Sequence, residues 1–427
     1  MCREMKDSGI EWIGEINNEW SIVKIAKLAQ FINGYAFNGE DLTIENEIPV
    51  IRIGDIQEGG VNLEGCLKYK EDKRLYNYSI QSKDVLIAMS GATTGKTAFI
   101  NEVDSVAYIN QRVGIIRNSK YSKYINYSLN TGEFKKYIDL LADGSAQPNI
   151  STKGIMNYYL ALPNRGLDNI INYLDRKVSQ INNVISKQKS LIEKYKAYKQ
   201  SLITETVTKG LNKNVPMKDS AIEWIGEIPS HWSKEKIKYL VQISRGRFNH
   251  RPRNDVRFYN GEYPFIQTGD VARANKYINT YEQTLNKKGF EVSKEFKKGT
   301  IVMTIAANIG DIAILNFDSC APDSIVGFEP IGYSHWNYIY YLFIAAKPAF
   351  FETSIISTQL NLNIELIKEL FVVRPPMEEQ KQIAEFLDKK CIAIDSIISK
   401  KEELIEKLER YKKSLIYECV TGKRAVN

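Results

Sequence analysis

Gly91-Ala92-Thr93-Thr94-Gly95-Lys96-Thr97 is the stretch of this 427-residue chain that comes nearest to a reactive motif. A phosphate-binding loop needs G-x-x-x-x-G-K-[ST], so that backbone N–H groups cradle the phosphates and the lysine reaches them. The first glycine would fall at position 90, which is Ser90, so the loop is one residue short. The segment after it reads as a strand, whereas the motif needs a helix whose N-terminus faces the phosphates. The matching loop of the second half, Ala306-Ala307-Asn308-Ile309-Gly310-Asp311, keeps a glycine and loses the lysine. No nucleotide site is expected. A plain β-turn is the leading reading, ahead of a glycine turn that lets Lys96 approach a nucleic-acid backbone.

Other reactive constellations are missing. The histidines are His231, His250 and His335, without metal-ligand spacing and without H-E-x-x-H. There is no G-x-S-x-G elbow, no Asn-Pro-Pro-Tyr motif and no glycine fingerprint for S-adenosylmethionine. Pro322-Asp323 could open a nuclease motif, but no Glu-x-Lys follows. The cysteines, Cys2, Cys66, Cys320, Cys391 and Cys419, are odd in number, far apart and form no CxxC. That fits a reduced cytosolic compartment and argues against structural zinc. The chain is expected to catalyse nothing by itself.

What the sequence does carry is a duplication. Met5-Lys6-Asp7-Ser8-Gly9-Ile10-Glu11-Trp12-Ile13-Gly14-Glu15-Ile16 returns as Met217-Lys218-Asp219-Ser220-Ala221-Ile222-Glu223-Trp224-Ile225-Gly226-Glu227-Ile228 (217 − 5 = 212), and Trp20 returns as Trp232. An offset of half the chain marks two similar halves, not a solenoid period. The repeat resumes at the end of each half: Leu174-Asp175-Arg176-Lys177 matches Leu387-Asp388-Lys389-Lys390 (387 − 174 = 213). Between these ends the halves diverge, apart from anchors such as Pro49 with Pro264, Gly54-Asp55 with Gly269-Asp270, Gly95 with Gly310 and Gln147 with Gln359. Shared ends with different middles point to one frame carrying two reading heads.

The repeated ends have the a/d rhythm of a coiled coil. Ile171, Leu174, Val178, Ile181, Ile185, Gln188, Ile192, Tyr195, Lys199 and Leu202 recur as Ala384, Leu387, Cys391, Ile394, Ile398, Lys401, Ile405, Leu408, Lys412 and Leu415. A first helix of about 40 residues would span roughly 60 Å, and its stripe needs another helix to bury it. An antiparallel pair is expected, the halves being related by a pseudo-twofold; two helices lying separately on their own domains is the alternative. The middles read as mixed α/β domains. Short strands are predicted at 49–53, 84–89 and 97–100 with a helix over 121–141, and again at 264–268, 300–305 and 311–315 with a helix over 336–344. Pro163 and Pro375-Pro376 stand before the long helices. The expected domains are 1–165, a helix in 166–210, 211–377 and a helix in 378–427.

Composition is that of an ordinary globular protein, 43% hydrophobic and 26% charged. The most apolar stretch, 338–351, is too short for a bilayer and contains Lys347 and Pro348. Charged sequence follows Met1-Cys2-Arg3-Glu4, so no secretory leader is expected. A net charge of +7 and 25 tyrosines permit nucleic-acid binding without establishing it.

The repeated Ile-Glu-Trp-Ile-Gly-Glu-Ile, the turn Gly34-Tyr35-Ala36-Phe37, two divergent middles and two matching long helices resemble the specificity subunit of type I restriction–modification systems. The resemblance covers essentially the whole chain and lies in the arrangement, since no single motif decides it. It implies that each middle is a target recognition domain reading one half of an asymmetric, gapped double-stranded DNA site. The helices would act as a ruler and as the dock for methyltransferase subunits, two per chain, with restriction–translocase subunits joining them. S-adenosylmethionine, ATP and Mg²⁺ would belong to those partners, the chain itself binding no cofactor or metal, and the complex would sit in a prokaryotic cytoplasm, with no membrane partner. Arg245-Gly246-Arg247-Phe248, at the second turn, keeps Gly and Phe and replaces Tyr and Ala, so its contacts carry over less directly.

Base edges are read by Arg, Lys, Asn and Gln, and phosphates are held by basic groups, hydroxyls and backbone amides. With Tyr35 and Phe37, the candidates in the first half are therefore Arg52, Lys96, Asn110-Gln111-Arg112, Gln147 and Asn149. Those in the second are Arg245, Arg247, Asn249, Arg251 and Arg253, four arginines in nine residues, with Gln267, Asn308, Gln359 and Asn361. A solvated surface loop is the competing reading for the arginines, and turn-stabilising amides for Gln147 and Gln359. A self-acting nuclease or modification enzyme with a cryptic site, or a coiled-coil scaffold, are the competing functions. Mg²⁺-dependent cutting by the pure chain would favour the enzyme.

Overall fold

The computed structural model describes residues 4–57, 59–141, 149–306, 309–355 and 362–426. Gln147, Asn308, Gln359 and Asn361 lie outside them. The chain divides into two compact units, Met1–Lys189 with Glu402–Asn427, and Ser190–Lys401. Each unit thus holds part of both long helices.

Each unit is built on an antiparallel sheet of short apolar strands. In the first the order is Thr97–Phe99, Val85–Ala88, Val113–Arg117, Gln30–Asn33. In the second it is Ile312–Leu315, Ile301–Thr304, Ile325–Pro330, Val241–Arg245, with Tyr277–Ile278 added in parallel beside the first of these. Val85, Leu86, Ile87 and Ala88 are all fully buried, as are Ile301, Val302 and Met303, because both faces of these central strands are covered. A second small sheet leans on each: Tyr108–Ile109 runs parallel to Ile48–Ile51, and Ser319–Ala321 parallel to Tyr259–Phe265. The two divergent middles therefore share one scaffold.

Two helix expectations are corrected. The helix over 121–141 is two helices, Ser122–Leu129 and Gly132–Leu141. The Asn130 amide donates to Thr97 Oγ1 (2.8 Å) and Thr131 Oγ1 donates to Ser128 O (2.8 Å), which turns the chain between them. In the second unit the helix runs through Pro348, over Trp336–Ile355, because Ala349 and Phe350 continue its buried face.

The long helices are Leu167–Lys209 and Met377–Val420, 43 and 44 residues, about 65 Å each at 1.5 Å per residue. Positive-φ glycines, Gly210 and Gly422, follow their last turns, the conformation that ends a helix at least cost. Glu378 and Glu379 in the first turn of the second suit its dipole. In the first unit Leu174, Ile181 and Ile185 are buried with Leu415 and Ile416, and Ile405 and Leu408 pack on them. In the second, Ile203 and Val207 join Ile383, Leu387 and Cys391, with Leu202 against them. Ile192 and Ile394 are buried and Ile398 half-buried. The start of each helix thus meets the end of the other, and the pair is antiparallel.

The polar seam positions make equivalent contacts. Lys199 Nζ pairs with Asp395 (2.7 Å) in the second unit, and Lys412 Nζ donates to Asn182 Oδ1 (3.0 Å) in the first. At the repeat offset Lys199 is Lys412 and Asp395 is Asn182. Each lead-in hairpin, Met5–Asp7 with Glu15–Asn17 and Met217–Asp219 with Glu227–Pro229, brings a buried tryptophan onto one of the helix ends. A Cβ on Gly210 would lie 3.1 Å from the Trp232 ring, and one on Gly422 3.0 Å from the Trp20 ring.

Candidate nucleic-acid interface

In the first unit several turns are tied into one surface by main-chain bonds. Gly34 N–H donates to Val113 O (3.0 Å) and Tyr35 N–H to Ile109 O (3.0 Å). A Cβ on Gly34 would stand 2.0 Å from Asn110 O, so only glycine admits this approach. Asn110 N–H reaches Ile51 O, Met89 N–H reaches Arg112 O, and Ile150 N–H reaches Met89 O, each at 2.9 Å. Ser90 bridges Asn149, and Thr93 Oγ1 meets Ile53 O (3.5 Å). Tyr35, Arg52, Asn110, Gln111, Arg112 and Asn149 are brought together by these links. All are exposed except Asn110, which is half-buried. Phe37 packs on Tyr69 (5.0 Å) and Tyr108 (6.1 Å), supporting the turn from below. Lys96 is exposed at the entry to the edge strand, past the Gly91–Thr93 turn, its backbone N–H donating to Thr93 O (2.9 Å). The residues after it, Thr97–Phe99, form a strand, not the helix that a phosphate-binding loop leads into.

The second unit repeats the geometry with other side chains. Gly246 N–H donates to Ile325 O (2.8 Å) and Arg247 N–H to Ala321 O (2.9 Å). A Cβ on Gly246 would meet Pro322 O at 2.1 Å. Ile305 N–H donates to Ser324 O (2.9 Å) and Leu362 N–H to Ile305 O (3.1 Å). Asp55 accepts from Arg52 N–H and Asp270 from Gln267 N–H, both at 2.7 Å, which makes the Gly-Asp anchor a shared turn cap. Position by position, then, Arg247 stands where Tyr35 does, Gln267 where Arg52 does, and Asp323 where Gln111 does. Phe248 is one residue early in strict register, yet it plugs the core formed by Phe265 and Cys320, as Phe37 joins that of Val50 and Tyr108.

The four arginines are exposed and well held. Arg245 Nε donates to Asp323 O (2.7 Å), Arg253 Nη2 pairs with Asp323 Oδ1 (2.5 Å), and Arg251 Nη2 lies 3.6 Å from Asp323 Oδ2. Arg251 Nη1 also donates to Phe248 O (2.7 Å) and His250 O (2.8 Å), and Arg247 Nη2 to Ser293 O (3.4 Å). Asn249 is exposed, its N–H bonded to Val292 O (3.1 Å). Gln267 Nε2 donates to Gln283 Oε1 (3.1 Å).

Sequence reasoning missed two features. Asp323 was seen only as a failed nuclease motif; its offset from Gln111 was the available signal. The other is Lys68-Tyr69-Lys70 with Lys73-Arg74-Leu75-Tyr76-Asn77-Tyr78, where basic residues alternate with aromatics beside the cluster. Tyr78 lies 5.3 Å from Tyr35. Arg74 forks onto Asp72 (Nη2–Oδ2 2.7 Å, Nε–Oδ1 3.0 Å), and its guanidinium holds the Asp72 carboxyl below its ordinary range.

Each long helix also carries a second apolar stripe, outside the seam. Val184, Leu191 and Tyr198 on the first and Ile397, Leu404 and Tyr411 on the second are exposed, step by sevens, and match one another at the repeat offset. Among the described residues no group of three His, Cys, Asp or Glu side chains could hold a metal ion, and no helix is long and apolar enough to cross a membrane.

Comparison with known proteins follows the same outline. The family model for the type I restriction modification DNA specificity domain matches twice, at residues 17–203 and 229–410. The type I restriction enzyme EcoBI specificity subunit of Escherichia coli is 21% identical, over 98% of this chain and 89% of its own. The putative type I restriction enzyme MjaX specificity subunit of Methanocaldococcus jannaschii is 25% identical, over 96% and 95%. A solved chain described under complex assembly and conformational transition of the type I R-M system superposes with a TM-score of 0.70 at 14% identity, covering 96% of this chain and 99% of that one. At that identity the likeness speaks for the fold.

Proposed function

The chain belongs to the type I restriction–modification DNA specificity family, whose members confer sequence specificity on their complex without catalysing the reaction, and from that premise we propose that it reads a two-part, asymmetric DNA site, one half-site under each recognition domain. The carrying observation is the shared scaffold with substituted positions: Tyr35, Arg52 and Gln111 in one domain, Arg247, Gln267 and Asp323 in the other. Two frames of the same shape that present different donors and acceptors are suited to two different base sequences.

In this reading Arg52, Asn110, Gln111, Arg112 and Asn149 contact the first half-site, with Tyr35 flanking them. Arg245, Arg247, Asn249, Arg251, Arg253 and Gln267 contact the second. Gln147, Asn308, Gln359 and Asn361 remain candidates by sequence. Lys96 serves the DNA backbone. Exposed arginines suit phosphates by charge and guanine edges by their fork.

The antiparallel helices set the spacing between half-sites, Leu174, Ile181, Ile185, Ile192 and Leu202 against Leu387, Ile394, Ile398, Ile405 and Leu415. The matched stripes, Val184 with Ile397, Leu191 with Leu404 and Tyr198 with Tyr411, support two docking places of one kind, and hence two methyltransferase subunits per chain. Restriction–translocase subunits would join that assembly. S-adenosylmethionine, ATP and Mg²⁺ act in those partners, in the cytoplasm of a prokaryote.

Replacing residues 21–165 with the corresponding domain of a relative tests the reading. Mapping methylated adenines across the host genome should show one half of the motif changed and the other intact. A change of both halves together would sink the assignment of one half-site to each domain.

A further inference from the structure

Asp323 is the acidic group among the arginines of the second domain's turn. It accepts from Arg253 through Oδ1, lies within ion-pair reach of Arg251 through Oδ2, and offers its backbone carbonyl to Arg245. Its side chain is only partly exposed, at 35%, while those of Arg251 and Arg253 are 55% and 49% exposed. Two planar guanidiniums on one carboxylate is the arrangement they would adopt around a phosphate. The loop that carries Asp323 is also the one whose Ala321, Pro322 and Ile325 carbonyls meet the Gly246 turn, so the carboxylate is fixed from beneath. The first domain has Gln111 at this place, which cannot hold a guanidinium by charge.

We propose that Asp323 is a positioning residue that occupies Arg251 and Arg253 in the free protein, so that a DNA phosphate must displace it before either arginine contributes to binding. The inference rests on the reading that this loop faces DNA. Exposed ion pairs are weak, so releasing both arginines is a modest cost. The cost is the same for a cognate and a random duplex wherever a phosphate takes the two arginines, since phosphate contacts carry no sequence information. Asp323 therefore lowers affinity for both by about the same factor, a brake on DNA binding at large.

The test is a salt titration of the full chain, assembled with its partner subunits, on a cognate and a scrambled duplex. The variants are Asp323→Asn, Asp323→Glu, Arg251→Ala with Arg253→Ala, and the combination of these two alanines with Asp323→Asn. Asp323→Asn keeps the shape and removes the charge. It should tighten binding to the scrambled duplex by about three- to tenfold and steepen the salt dependence by up to about 0.9 per phosphate gained. The gain should be of similar size on the cognate duplex, Asp323→Glu should show none, and the gain should vanish when both arginines are alanine. Unchanged or weaker binding of Asp323→Asn to the scrambled duplex overturns the proposal. So does a relaxed base at one position of the methylated motif, which would make Asp323 a base reader. Full affinity and slope in the double alanine variant would instead remove the premise that this loop faces DNA.

Discussion

Gly34 shows how much one residue decides in the first recognition domain. Its N–H holds Val113 O, and the missing side chain leaves room for the Asn110 carbonyl. Alanine there would put a methyl 2.0 Å from that oxygen, and backbone on both sides can yield only by moving the turn. Gly34→Ala should destabilise the fold by about 1–3 kcal/mol, as overpacking does. It should also shift Tyr35 and Gln111 together, so that the first half of the methylated motif is lost or relaxed while the second keeps its sequence. Gly39→Ala is the control, since a Cβ there meets nothing within 4 Å. Equal behaviour of the two variants in thermal melts and in methylation maps would mean that the close approach is not what shapes the site.

The long helices were the most legible elements in the sequence. A stripe at Leu174, Ile181 and Ile185 calls for another stripe to bury it, and heptad spacing supplies both, while the antiparallel sense came from the pseudo-twofold between the halves. The divided helix at Asn130 was not legible, because the break depends on Thr97, a partner from a strand far away in sequence. For the candidate site, sequence offered residue types and positions but not their grouping. Nothing near Arg52 in sequence announces Asn110, which meets it through the Ile51 carbonyl. Asp323 stayed hidden for the same reason, its arginines being some seventy residues upstream. The helix pair also allows a test of spacing that keeps the seam in phase. Seven residues inserted after Lys189 and seven after Lys401, each a complete heptad, lengthen both helices by about 10 Å, or roughly three base-pair steps of 3.4 Å. The gap in the recognised motif should grow by about three base pairs with both half-sites unchanged. An unaltered gap would show that something other than the helix pair sets it.

At the scale of the molecule, the contact between Gly422 and Trp20 repeats the one between Gly210 and Trp232, although the peptide chain joins only the second pair directly. The seam is equally interchangeable. Ile192 stands for Ile405, Leu202 for Leu415, Ile203 for Ile416 and Val207 for Val420, and Lys199 can meet Asn182 as Lys412 does. A fragment of residues 1–213 therefore contains both surfaces of its own helix seam and both partners of the tryptophan contact. It should associate with a second copy of itself, each copy supplying the helix end that the other lacks. Light scattering would report a dimer, and a monomer at micromolar concentration would count against it. Supplied with the modification subunits, such a dimer has two identical first domains facing opposite strands. Its methylation target should be an inverted repeat of the first half-site: an asymmetric motif turned into a palindrome by deleting half of the protein that reads it.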